Sequence, residues 1–166
     1  MRKPRYLIIG AEYHVTAKIN RGEFALETSE IKELFLQTVK RAKEKYAFEL
    51  KSFVIMDNHI HLLIKPGKGE NLSKIMQWIL SVFAKCYNKH FHLNGHVWAD
   101  RFKSKVIESF QQLIATFNYI RNNPVKAKMV ETPEEYQYGS LWFIRLKLFD
   151  LVKPPDITIE MALTAV

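Results

Sequence analysis

Two apolar runs, FELKSFVIM at 48–56 and HIHLLIK at 59–65, are separated only by Asp57-Asn58. Each run has strand length, and a two-residue polar turn of this kind joins antiparallel neighbours. A parallel pairing would need a crossover of about a dozen residues or more. The chain is thereby committed to a hairpin. The end of its first strand, Phe53-Val54-Ile55-Met56, is apolar throughout, which predicts a central place in a sheet. In the second strand Ile60, Leu62 and Ile64 face a core, while His59 and His61 share the opposite face. Two imidazoles side by side suit a divalent metal. An isolated His-x-His is more often a pair of polar residues on the wet side of a strand, so the pair alone does not decide.

The other elements follow closely. Glu12 to Ile19 alternates and reads as a first strand, ended by Asn20-Arg21-Gly22. Ser29 is the expected cap of a helix with Ile31, Leu34, Phe35, Thr38, Ala42 and Tyr46 at helical spacing. A second helix spans 71–90, burying Leu72, Ile75, Met76, Ile79, Phe83 and Cys86. A loop through Gly95 and Trp98 follows, with Trp98 expected to anchor it in the core. A short strand at 103–108 and a helix at 110–123 come next, the helix halted by Pro124. The order is β-α-β-β-α-β plus an appended C-terminal helix. This is an α+β, ferredoxin-like split βαβ arrangement, an antiparallel sheet with helices on it. Residues 1–150 are expected to form one domain and 151–166 a loosely ordered tail.

The 166 residues carry 25 Lys and Arg against 17 Asp and Glu, a net charge of +8. Such a surplus favours a polyanion, most often nucleic acid. Cys86, alone of its kind, rules out an internal disulfide and a cysteine zinc cage, and is expected to be a buried thiol. No apolar stretch has transmembrane length, and the N-terminal residues lack a signal-peptide core. A cytoplasmic location is expected, nucleoid-associated in a bacterium, with no membrane partner.

The segment FQQLIATFNYIRNN at 110–123 answers the histidines. At about 100° per residue, Leu113, Phe117 and Ile120 cluster on one arc, and Tyr119 falls well off it. Asn123 lies four residues on, on the same side as Tyr119, and its amide oxygen is a possible ligand. A helix crossing the sheet would set a phenol and an amide over the two imidazoles. A phenol with a pKa of about 10 is a weak nucleophile at neutral pH. It becomes useful when a divalent ion polarises a phosphodiester. Standing alone, Tyr119 would read as a rim tyrosine near a helix end.

Taken together, these residues resemble the single-tyrosine HUH transposases, most closely the REP-associated tyrosine transposases and related insertion-sequence transposases. The resemblance rests on YHVT at 13–16, MDNHIHLLI at 56–64, GHVWADRFKS at 95–104, YIRNNPVKAKMV at 119–130 and PEEYQYGS at 133–140. It implies that His59 and His61 bind Mg²⁺ or Mn²⁺, that Asn123 completes the metal site, and that Tyr119 on the appended helix is the nucleophile. It implies a single-stranded DNA nuclease and strand transferase working through a 5′-phosphotyrosine link, at sites that contain hairpins or repeats. Some relatives are homodimers with each tyrosine in the partner's site, and others are monomers. Two positions depart from the family. Asp57 stands where many relatives have proline, and Arg121 where many have histidine.

Asp57 and His14 are candidate supports behind the metal ligands. Arg101, Lys103, Lys105, Arg121, Lys126 and Lys128 are candidate DNA contacts. His90, His92 and His96 crowd one loop without acidic or cysteine companions and are assigned no metal. Competing readings are a catalytically retired DNA-binding protein that recognises repeats, a metal-dependent nuclease using water, and a small nucleic-acid-binding module indifferent to metal.

Overall fold

The Asp57-Asn58 turn closes as a tight hairpin, with Met56 N–H donating to His59 O at 2.9 Å. In the computed structural model, which describes residues 7–165, it joins β2 (Phe48–Ile55) to β3 (His59–Pro66). With β1 (Tyr13–Lys18) and β4 (Lys103–Val106) these form one antiparallel sheet in the order β2-β3-β1-β4. That is the ferredoxin-like order expected from the succession of elements.

Each long helix starts at a polar cap. Thr28, rather than the expected Ser29, accepts from Ile31 N–H to open α1 (Ser29–Lys45). Asn71 Oδ1 accepts from Ser73 and Lys74 N–H at the start of α2 (Leu72–His90). Ser109 Oγ accepts from Gln112 N–H at the start of α3 (Phe110–Arg121). The chain does not leave helical geometry at Asn123. Asn122 breaks α3, and α4 (Asn123–Lys126) starts at once with Pro124 in its first turn, where a missing N–H costs nothing.

Strand alternation divides the sheet into two faces. Tyr13, Val15, Ala17, Phe53, Ile55, Ile60, Leu62 and Ile64 form the main core with residues of α1 and α2 such as Phe35 and Phe83. Val54, Met56 and Leu63 point the other way, into a smaller core with Leu113, Phe117 and Ile120 of α3. At roughly 1.5–3 kcal/mol for each large apolar side chain removed from water, both faces hold the sheet. Trp98 anchors its loop in the main core, stacked edge-on against Phe35, with Nε1–H donating to Leu80 O at 3.0 Å. Cys86 is only half-buried.

β2 is an edge strand, not the central one its apolar run predicts. Its outer edge is covered from far along the chain. Ile55 N–H donates to Tyr138 O at 2.9 Å, Tyr136 Oη–H donates to Ile55 O at 2.7 Å, and Val54 forms a bridge with Gly139 just before α5 (Ser140–Arg145). An apolar run thus marks burial on both faces, and an edge strand covered in this way is as buried as a central one.

The loose tail expected at 151–166 is corrected over its described residues. Leu151 and Val152 are fully buried in the main core, and Lys153 N–H donates to Leu50 O at 2.8 Å. α6 (Ile157–Thr164), capped by Asp156, packs Ile159 and Leu163 into the smaller core.

Candidate active site

β1 sends His14, Thr16 and Lys18 to the α3 side of the sheet, while Tyr13, Val15 and Ala17 enter the main core. The register sets Lys18 opposite His59 and Thr16 opposite His61 on β3, and Lys103 opposite Thr16 and Lys105 opposite His14 on β4. Directly opposed residues project from the same face. The result is a polar strip of histidines rimmed by lysines, continuous with the smaller core through Leu63.

α3 lies over this strip. Leu113, Phe117 and Ile120 hold it down, and Tyr119, 43% exposed, is turned out of that core toward the imidazoles. Its ring centroid is 5.2 Å from that of His61 and 5.6 Å from that of His14, edge-on to both. The rings of His59 and His61 are 5.0 Å apart. Lys126 Nζ, from α4, sits 5.4 Å from the Tyr119 ring centre. The side chain of Asn123 hydrogen-bonds the His59 imidazole. Tyr119, His59, His61 and Asn123 therefore meet at one place, with His14 among them.

The hydrogen bonds around the imidazoles define their free nitrogens. His59 Nδ1–H donates to Asn58 Oδ1 at 2.7 Å, which leaves Nε2 with its lone pair. His61 Nδ1 is 3.0 Å from both Thr16 Oγ1 and His14 Nε2. Burial, reinforced by His14, His59 and Lys18, pushes the His61 pKa down to about 3. Burial lowers His59 as well, against the opposing hydrogen bond from Asn123. His14 is lowered by burial and then by Lys105. Neutral imidazoles are what a metal requires. Two ring nitrogens and an amide oxygen make a donor set that suits a divalent ion and leaves coordination positions open. No cluster of three or more His, Cys, Asp or Glu able to hold a metal occurs among the described residues.

The remaining candidates separate. Asp57 makes no hydrogen bond to the imidazoles: its carboxylate accepts from the buried Lys32 Nζ at 2.7 Å, and only its charge is felt at His59. The support expected of Asp57 falls instead to its neighbour Asn58. Lys103 and Lys105 share the histidine face, and Lys126 adjoins Tyr119. Arg121 is half-buried and donates from Nη2 to Leu163 O at 3.4 Å, which directs it to α6. Arg101 and Lys128 are exposed, and no contact among the described residues ties them to the cluster.

Sequence reasoning missed Thr16, Lys18 and Asn58. The alternation His14-Thr16-Lys18 carries the first two, since any face given to His14 is theirs too.

Comparison with known proteins adds the family. The profile of the family described as Transposase IS200 like matches residues 8–123. A Haemophilus influenzae protein described as a REP-associated tyrosine transposase is 28% identical over 116 residues, 64% of this chain and 66% of that one. The chain thus spans just under two-thirds of that relative's length. A solved structure of a REP-associated tyrosine transposase bound to a REP hairpin superposes with a TM-score of 0.73 at 21% identity, over 92% of this chain and 88% of that chain. A second, described as a transposase from Deinococcus radiodurans R1, gives a TM-score of 0.52 at 17% identity, over 74% and 97%. At such identities these two structures speak for the fold alone.

Proposed function

Since the chain belongs to the IS200-like transposase family, we propose that it is a metal-dependent enzyme that cuts and rejoins single-stranded DNA through Tyr119. The observation that carries this reading is the placement of Tyr119 5.2 Å from the His61 ring, over a strip that also holds His59 and Asn123. A phenol has no structural need to leave its own helix's core and stand over two neutral imidazoles.

On this reading His59, His61 and Asn123 hold a magnesium or manganese ion. When bound, the ion polarises the non-bridging oxygens of a phosphodiester and offsets the charge that builds up during attack. The chain's residues do the rest. Asn58 Oδ1 accepts the hydrogen bond of His59 Nδ1–H and so presents Nε2. Thr16 Oγ1 and His14 Nε2 are both placed to accept a hydrogen bond from His61 Nδ1–H, which turns the His61 Nε2 lone pair outward. Tyr119 Oη gives up its proton and bonds to phosphorus, the bond from phosphorus to the 3′ oxygen breaks, and that oxygen leaves as a hydroxyl. The 5′ phosphate stays on Tyr119. A later 3′ hydroxyl reverses these steps and restores a continuous strand without an external energy source.

The substrate proposed is single-stranded DNA with a hairpin, the element to which the structural neighbour is bound. Lys103, Lys105 and Lys126 line the approach for its phosphates, with Arg101 and Lys128 further out. The contact of Tyr119 with the histidines of its own chain favours a monomer over a homodimer with each tyrosine in the partner's site. No helix among the described residues is long and apolar enough to cross a membrane, and the proposed place of action is the cytoplasm, on DNA.

Covalent capture tests this. Labelled hairpin oligonucleotides from the DNA flanking the gene are incubated with Mn²⁺ and run on a denaturing gel. A metal-dependent shifted band, lost in Tyr119→Phe and His61→Ala, is expected. Cleavage persisting in Tyr119→Phe without a shifted band would assign the attack to water, and no product at all would leave a DNA-binding protein.

A further inference from the structure

Lys18 is the last residue of β1 and the Cα partner of His59 on β3. It shares the α3 face with His14 and Thr16, is exposed, and its ammonium has no hydrogen-bond or ion-pair partner among the described residues. Asp57, in the turn before His59, is paired with Lys32 instead.

The opposite end of the strip has its own cation, Lys105, alongside His14. Lys18 and His14 are four positions apart on β1, about 13 Å at roughly 3.3 Å per residue. The lysines thus bracket the histidines along a stretch longer than one phosphate.

We propose that Lys18 is a phosphate-binding residue of the DNA site, gripping a backbone phosphate next to the reacting one on the His59 side. This rests on the function proposed above and adds to it the direction of the strand's path, along β1 from Lys105 toward Lys18. The ammonium acts as a point charge, so affinity changes without base preference.

The test measures binding of a labelled single-stranded hairpin oligonucleotide by anisotropy across a NaCl series, in EDTA so that no metal contributes. Each neutralised phosphate on a single strand adds about 0.7 to the slope of log K against log salt. Lys18→Gln is expected to lower the slope by about 0.7, Lys18→Arg to keep it, and Lys89→Gln, on α2 across the sheet, to leave it unchanged. A methylphosphonate scan should find one linkage whose neutralisation weakens the wild type but not Lys18→Gln. An unchanged slope in Lys18→Gln, or a change matched by Lys89→Gln, overturns the proposal. Adduct formation by the wild type is scored in parallel. If adducts form and the slope is unchanged, Lys18 alone is wrong. If the slope falls and no adduct forms, Lys18 stands as a DNA contact and the proposed chemistry fails.

Discussion

Asn58 Oδ1 lies 2.7 Å from His59 Nδ1, so a turn residue fixes which nitrogen of a strand histidine faces the site. The turn that makes the hairpin also sets the imidazole's tautomer. Groups that orient a ligand from behind typically change metal affinity by about 10–100-fold when removed. Asn58→Ala is therefore expected to raise the Mn²⁺ concentration needed for half-maximal adduct formation by that order. A wild-type Mn²⁺ titration curve in Asn58→Ala would refute the assignment.

Tyr119→Phe removes the hydroxyl and nothing else. With the ring 43% exposed, stability should stay within about 0.5 kcal/mol of wild type. Adduct formation should fall to background while oligonucleotide binding is retained. Urea unfolding, anisotropy and the denaturing gel separate the three effects.

His61 gives stability a pH dependence of known sign in metal-free protein. Its pKa is pushed down to about 3 in the fold against 6.5 for the free side chain. The unfolded chain therefore binds the extra proton first as pH drops. This stabilising contribution is complete above about 6.5, is lost progressively as pH falls toward 3, and does not change further below that. His61→Gln should flatten the fall in urea midpoint across this window, and an unchanged profile would show that His61 is not held neutral by the fold.

The Lys32–Asp57 pair, at 2.7 Å with side chains 4% and 28% exposed, anchors the same turn from below. Removing one partner of a buried pair costs about 3–5 kcal/mol because it strands the other. Partial exposure of Asp57 lowers that to about 2–3 kcal/mol for Asp57→Ala. Lys32→Met combined with Asp57→Asn should recover part of the loss, since no buried charge remains. Urea unfolding of the two single variants and the double variant gives the coupling directly.

Much of this site could be read from the chain because its signals are local. The alternation of HIHLLIK puts His59 and His61 on one face, and the helical wheel of 110–123 turns Tyr119 away from Phe117 and Ile120. What could not be read depends on partners distant in sequence. Asp57 reads as a support behind the metal ligands, and nothing near it in sequence shows that Lys32, in α1, pairs with it. Nothing in the sequence around Lys18 shows that the β1–β3 register sets it against His59. β2 reads as central because nothing within it announces that residues 136–140 will cover its edge.

The division of β3 between two cores makes folding its own proofreader. Odd-numbered His61 and Leu63 serve the α3 side, and even-numbered Ile60, Leu62 and Ile64 the other. A slip of one residue would exchange the two sets, thrusting imidazoles among phenylalanines and stranding three aliphatic side chains on the α3 side. A chain assembled in the wrong register would thus betray itself by failing to fold, rather than persist as a well-formed protein with a scrambled site.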